Sequence, residues 1–368
     1  MSEISLPKTT TNLQKMALTI DSPVAVRNGE ELDIEALNAY LQDQVADITA
    51  IQSISQFPGG YSNLTYLVST LDKEYVLRRP PFGAKIASAH DMGREFRVLS
   101  MLKGHYAKIP MPTVFCETDH ILGSPFYMME RVKGIILRAK DAENPALTQE
   151  LMTDLSKNLI DNLADLHALD LEKTNLQSLG KPEGYVPRQV AGWIKRYNNA
   201  ITDDLPDMRK IATWMEANLP PEQQPTFIHN DYKYDNVVLN PHNVSEIAAV
   251  LDWEMATVGD PLMDLGTSLA YWSEASDEPF TKFFNLTWLP GNMTREQVVQ
   301  HYAQKTGRDV SAFVFYYVYG LYKNAVIAQQ IYARWKAGFT KDPRFGALID
   351  GVKLYAKMGV RAIETNRI

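Results

Sequence analysis

An α+β fold of two lobes is what this sequence predicts: a small antiparallel sheet carrying one main helix, followed by a larger, mostly helical body. Three observations carry that prediction. Short β-branched and aromatic runs broken by turn residues occupy 49–132, leucines at helical spacing take over from residue 147, and a strand-loop-strand unit at 226–253 interrupts the helices with a cluster of polar residues. With 368 residues, 45% of them hydrophobic, the chain can bury a sizeable core, and its length favours two domains or one domain of two lobes. The expected division is an arm at 1–28, a first lobe at 29–132 and a second at 133–368.

The first helix is expected at about 33–42, where Ile34, Leu37, Tyr40 and Leu41 share a face and Asp33 can act as cap. The period then changes. Segments 49–57, 63–71 and 74–79 read as antiparallel strands, divided by Pro58-Gly59-Gly60 and by Asp72-Lys73. A helix at 89–102 follows, and strands at 113–117 and 126–132 complete a sheet of about five strands, with Lys133-Gly134 at the boundary. Beyond it, Leu151, Leu155, Leu159, Leu163 and Leu166 line one face of a helix ending near His167. Further helices are expected at 188–201, 207–219, 295–305 and 311–336. No internal repeat or low-complexity tract is present. The polar start of the chain reads as a loose arm that could cross a subunit interface, so a dimer is left open and the oligomeric state undetermined.

Composition narrows the function. Lys plus Arg total 37 against 44 Asp plus Glu, and the net charge of -7 gives no general attraction to nucleic acid or to an anionic membrane, so neither is expected as a partner. The single cysteine, Cys116, has no partner for an intramolecular disulfide, and no Cys/His cluster has zinc-ligand spacing, which suits a reducing cytoplasm. Residues 1–23 lack the apolar core of a signal peptide, and no run of about 18 uncharged apolar residues occurs. A soluble, cytoplasmic protein is the expectation.

The chemistry concentrates in His229-Asn230-Asp231-Tyr232-Lys233-Tyr234-Asp235-Asn236 and in Asp252, which follows the apolar run at 247–251. Phosphoryl transfer needs a nucleophile held in line, cations on the phosphate oxygens and a carboxylate near the attacking hydroxyl. The H-x-D-x-x-x-x-N spacing supplies Asp231 as base, with Asn236 and Asp252 as magnesium ligands. His229 reads as a structural residue that fixes the turn more than as a catalytic one. Lys233 reads equally as a contact to the transferring phosphate or as a solvated loop lysine.

These residues, with both lobes in the matching order, resemble the aminoglycoside phosphotransferase family, distant relatives of the protein kinases, over nearly the whole chain. The resemblance implies a bilobal protein-kinase-like fold and ATP with Mg2+ as cofactors. Asp252-Trp253-Glu254 fits the family's looser form of the D-F-G tripeptide, and Gly259-Asp260-Pro261 with Asp264 would brace the catalytic loop.

On the nucleotide side, Gly60, Ser62 and Asn63 lie between two expected strands, where glycine lets the backbone approach phosphates. Alternation in Tyr75-Val76-Leu77-Arg78-Arg79 puts Val76 and Arg78 on one face, Val76 toward adenine and Arg78 toward the phosphates. Arginine stands here where kinases carry lysine, and Glu95 is its expected ion-pair partner. Met129, Glu130 and Val132 end the last strand and resemble a hinge whose backbone holds adenine.

The acceptor is a small-molecule hydroxyl. The strings Gly60-Tyr61-Ser62-Asn63-Leu64-Thr65-Tyr66, Tyr75 to Pro81 and Arg94-Glu95-Phe96-Arg97-Val98-Leu99 are similar to the branch related to the kinase domain fused to acyl-CoA dehydrogenases, which implies a hydroxyacyl-CoA, a CoA thioester. Arg188, Lys195 and Arg196 would then meet the CoA. An aminoglycoside is the alternative, with Glu274, Asp277 and Glu278 as its carboxylates. A non-catalytic, ATP-binding pseudokinase is the alternative of another class, supported by Arg78 alone.

Overall fold

The computed structural model describes residues 17–58, 63–82, 92–340 and 342–368. In the first lobe, α1 (Ile34–Gln44) precedes β1 (Ile51–Gln56), β2 (Leu64–Thr70) and β3 (Glu74–Arg79); α2 (Met92–Leu102), β4 (Pro112–Cys116) and β5 (Phe126–Glu130) follow. The strands form one sheet in the order β1-β2-β3-β5-β4, and every neighbouring pair is antiparallel. Asp33 caps α1 by accepting the Ala36 N–H at 2.9 Å, as the sequence implies.

Both faces of this sheet are covered, which is why β2 and β3 are buried almost throughout. Tyr75, Leu77, Phe126 and Met128 point to the side packed by Leu37 and Leu41 of α1. Val76, Tyr127 and Met129 point to the other side, where Val98, Leu99 and Leu102 of α2 join a core continuous with the second lobe. Burying each such side chain contributes about 1.5–3 kcal/mol before the entropy of ordering is counted.

The second lobe holds α3 (Gln149–His167), α4 (Tyr185–Ala200), α5 (Pro206–Ala217), the strands β6 (Thr226–Ile228), β7 (Val237–Asn240), β8 (Asn243–Val250) and β9 (Thr257–Gly259), then α6 (Pro261–Ala270), α7 (Arg295–Thr306), α8 (Phe313–Lys336) and α9 (Leu348–Thr365). β6 pairs with β9 and β7 with β8, both antiparallel. The bilobal, protein-kinase-like α+β fold is therefore the observed one.

Two helices, α6 and α9, were not among those expected from the sequence. All residues of α6 are buried, so it has no polar face to reveal a helical period. It packs backbone to backbone on α8: a Cβ on Gly266 would lie 2.2 Å from the Tyr316 carbonyl oxygen, and one on Gly320 would lie 2.2 Å from that of Gly266. The helix α9 does carry an amphipathic pattern, with Val352, Tyr355, Ala356, Gly359 and Ala362 buried on one face, and a Cβ on Gly359 would lie 2.7 Å from the Ile211 side chain of α5.

The described part of the arm is fixed to the boundary between the lobes. Asp21 donates its N–H to the Gly134 carbonyl at 2.9 Å, accepts from Arg138 at 2.7 Å, and Val24 bridges to Gln56. Among the described residues, no helix is long and apolar enough to cross a membrane.

Candidate active site

The short strand β6 delivers the chain into the loop read from the sequence as catalytic, and β9, paired to it, returns the chain from the loop read as metal-binding (below, the catalytic loop and the metal loop), so residues 229–236 and 251–256 lie side by side. Asn230 and Asp252 adopt left-handed backbone, φ 68° and 67°, a conformation that Asn and Asp tolerate better than other non-glycine residues. Each such residue stores on the order of 1 kcal/mol or more of strain and persists only where its surroundings over-determine it.

At Asn230 the determinants are visible. Asp264 of α6, completely buried, accepts the N–H groups of His229 and Asn230, both at 2.7 Å, and sits 3.1 Å from His167 Nε2. Burial by itself raises an acid; His167 and the two N–H groups outweigh it and hold Asp264 below the ordinary carboxylate value. The Asn230 side chain donates to the Met255 carbonyl at 3.1 Å, which joins the two loops directly.

His229 makes a second join. Its Nδ1 lies 3.2 Å from the Asp231 N–H and its Nε2 lies 2.9 Å from the Leu251 carbonyl, so the backbone donor and acceptor assign the ring proton to Nε2. Burial lowers the pKa of this ring, keeping it neutral. The geometry matches the structural role read from the sequence.

Asp231, the base expected from the sequence, is held by two neighbours. Lys233 Nζ lies 3.1 and 3.0 Å from its two oxygens, and the Asn236 amide donates to the Asp231 carbonyl and to Oδ2, both at 2.8 Å. The nitrogen end of Asn236 is thereby occupied, which leaves the amide oxygen for a cation. Lys233 stands over the Tyr271 ring at 4.7 Å. Burial would lower this ammonium, yet the carboxylates of Asp231 and Asp235 and the Tyr271 phenol more than compensate and raise it. Lys233 is therefore a fixed cation beside Asp231 and not a solvated loop lysine.

Across the cleft, Arg78 bonds to Glu95 of α2 and reaches Asp252 Oδ1 at 3.3 Å. Glu95 also accepts the Trp253 N–H at 3.2 Å. Burial opposes the charge on Arg78, but Glu95 beside it holds the guanidinium well above its ordinary value. The pairing of Arg78 with Glu95, expected from the sequence, is present, and both groups grip the metal loop.

Val76 and Met129 are cross-strand partners on the cleft side of the sheet. The Glu130 N–H donates to the Met111 carbonyl at 2.8 Å and its side chain pairs with Lys73, so only its carbonyl is open to a hinge role. Val132 follows directly on the same segment. Asn63 is buried at the start of β2 and donates to Glu254 across the lobes at 3.2 Å. Gly60 and Ser62 lie outside the described residues.

Glu254 is the site residue that sequence reasoning left without a role. Desolvation and the neighbouring Asp252 push its pKa to about 7. Its signal was position alone, two residues past Asp252.

Of the acceptor candidates, Glu274 and Asp277 are tied to the buried Arg295, whose guanidinium lies 2.5 Å from Asp277 and 3.7 Å from Glu274. Arg188 donates to the Glu183 carbonyl at 2.7 Å and to that of Lys181, fixing the loop before α4. Arg196 stacks over Trp193 at 4.5 Å. Lys195 is exposed on the same helix.

Residues 53–298 match the phosphotransferase enzyme family, APH, a stretch that contains both loops, Arg78 and Glu95. The chain belongs to that family. This phosphotransferase is 35% identical to acyl-CoA dehydrogenase family member 10 of Mus musculus over 320 residues, covering 85% of this chain and 29% of that protein. It is 32% identical to family member 11 of Rattus norvegicus, covering 88% of this chain and 42% of that one. It thus spans less than half the length of either relative. A solved structure from Ralstonia eutropha JMP134, whose description assigns it provisionally to the aminoglycoside phosphotransferases, superposes with a TM-score of 0.79 at 27% identity, over 91% of this chain and 99% of that one. A choline kinase from Cryptosporidium parvum Iowa II shares the fold, with a TM-score of 0.63 at 13% identity over 91% and 97% of the two chains. The family is one of phosphotransferase enzymes.

Proposed function

We propose that this phosphotransferase moves the terminal phosphoryl group of ATP, with Mg2+, to the hydroxyl of a hydroxyacyl-CoA. The observation that carries the reading is the convergence of Asp231, Asn236, Asp252 and Arg78 on one cleft, linked through His229 and Glu95. Two hard oxygen donors, the Asn236 amide oxygen and the Asp252 carboxylate, suit magnesium, which keeps several waters and phosphate oxygens in its own shell and needs few protein ligands. Bound magnesium and ATP would supply the phosphoryl group and neutralise its oxygens.

The remaining roles belong to side chains of this protein. Asp231 accepts and orients the acceptor's hydroxyl proton, while Lys233 and Asn236 hold the carboxylate in place. Arg78 clamps phosphate oxygens and Glu95 fixes its direction, while the Gly60, Ser62 and Asn63 of the sequence reading are assigned to the phosphates. Val76 and Met129 flank adenine, with the Glu130 carbonyl and the Val132 backbone as its hydrogen-bonding edge. This machinery leaves little ground for a non-catalytic module.

Two observations favour the CoA ester as acceptor. The relatives at 30% identity or more carry names of acyl-CoA dehydrogenases, and Lys195 and Arg196 offer exposed cations on α4. Of the three carboxylates that a polycationic aminoglycoside would need, Glu274 and Asp277 are engaged by Arg295, while Glu278 is exposed. Incubation with magnesium, ATP and a panel of hydroxyacyl-CoA esters, their free hydroxy acids and aminoglycosides tests the reading by phosphate mass gain. Gain on the CoA esters is expected; gain on aminoglycosides alone would overturn the acceptor, and no gain on any acceptor together with no ATP turnover would overturn the enzyme.

A further inference from the structure

Lys323 is 2% exposed on α8, yet it has no carboxylate within ion-pair distance among the described residues. Its ammonium donates to one group, the carbonyl of Asn230, at 2.8 Å. Burying an unpaired charge is costly, and an apolar side chain at this position would avoid that cost.

Its location gives it a task. The contact of Gly320 with Gly266 locks α8 against α6, and Lys323 stands one helical turn beyond it, facing the catalytic loop. Asn230 is therefore held on both sides: its N–H by Asp264 of α6 and its C=O by Lys323 of α8. The peptide between them and Asp231 leaves a left-handed residue, and rotation of that peptide would swing the base away from the acceptor. On its far side Lys323 lies 5.8 Å from the ring of Trp193 in α4, the helix that carries Arg196.

We propose that Lys323 is a positioning residue for Asp231, in which a buried ammonium fixes the peptide carrying the base and couples helices α4 and α8 to it. The proposal rests on Asp231 being the base. The charged groups facing the ammonium are Asp231 and Lys233 of the catalytic loop, Asp264 of α6 and Arg196 of α4. Burial lowers the pKa of Lys323 to about 8, with the two carboxylates opposing. A neutral amine above that pH can still donate to Asn230 but no longer places positive charge beside the base.

The test is ATP turnover with magnesium, read as ADP release, which needs no knowledge of the acceptor. Lys323→Met should lower kcat about 10-fold to 10²-fold, the scale of a misplaced catalytic group, with the KM for ATP within about twofold. In the wild type kcat should fall as pH rises through about 8. Lys323→Arg, charged throughout, should recover part of kcat and lose that alkaline limb. Wild-type kcat in Lys323→Met, or the same limb in Lys323→Arg, overturns the proposal; if Lys323→Met does not fold, the limb in Lys323→Arg decides. Asp231→Ala runs in parallel: unchanged turnover there sinks the parent reading instead.

Discussion

The catalytic loop and the metal loop turn on equivalent backbone, Asn230 at φ 68° and Asp252 at φ 67°, but they are anchored from opposite directions. Asn230 is held within the second lobe, by Asp264 and Lys323 of two helices locked to each other and by Met255 of the neighbouring loop. The metal loop is gripped from the first lobe, where Arg78 reaches Asp252, Glu95 takes the Trp253 N–H and Asn63 meets Glu254. Asp231 is thus anchored within the second lobe alone, whereas the Asp252 loop, joined to it through Leu251 and Met255, is also held by the first lobe. A change in lobe closure should move Asp252 relative to Arg78 and leave Asp231 where it is.

The sharpest break is at the base itself. Asp231→Ala should lower turnover roughly 10²-fold to 10⁴-fold while ATP still binds, by steady-state kinetics and nucleotide titration. An unaltered rate removes Asp231 from the mechanism. Removing its anchor should cost stability as well: Asp264→Ala strands His167 and two buried N–H groups, and denaturant unfolding should show a loss of about 3–5 kcal/mol. A loss below about 1 kcal/mol would mean that the loop holds its own shape.

The first-lobe anchor should behave differently. Arg78→Ala should raise the KM for ATP about 10-fold to 100-fold, the equivalent of one or two charge-assisted hydrogen bonds, and Arg78→Lys should recover part of it. Equal ATP affinity in Arg78→Ala would place the phosphates elsewhere. The smallest effect concerns His229, whose folded pKa lies below its unfolded value near 6.5. Its contribution to stability is full above pH 6.5 and is lost as pH falls through the folded value, because the unfolded chain takes up the proton first. Urea unfolding should therefore weaken below pH 6.5, and His229→Asn should flatten part of that slope; identical slopes would place the acid sensitivity elsewhere.

Much of the first lobe was legible because its signals are local. Period-two alternation in 75–79 put Val76 and Arg78 on one face, and both do face the cleft, with Glu95 one helix away. Helices α3, α4, α5, α7 and α8 fall within a few residues of their expected spans. The helix α6 was illegible for the reason that makes it useful: buried all round, it has no amphipathic pattern, and it brings Asp264 under the catalytic loop. The carboxylates at 274 and 277 looked available to a cationic acceptor only because Arg295, 18 residues beyond Asp277, could not be seen to claim them.

The nearness of His229, Asp231 and Asn236 was determined by the sequence itself, since groups a few residues apart on one loop cannot avoid each other's neighbourhood, whereas Asp252 joins them through the pairing of β6 with β9. Which end of Asn236 is left for a cation, and whether Lys233 is solvated or fixed, were decided by tertiary structure. The brace of Asp264 on Asn230, 34 residues along the chain, was implied by the family resemblance, but the grip of Lys323, 93 residues along, was decided by tertiary structure. Orientation at that distance follows from packing of whole elements, a property no local pattern encodes.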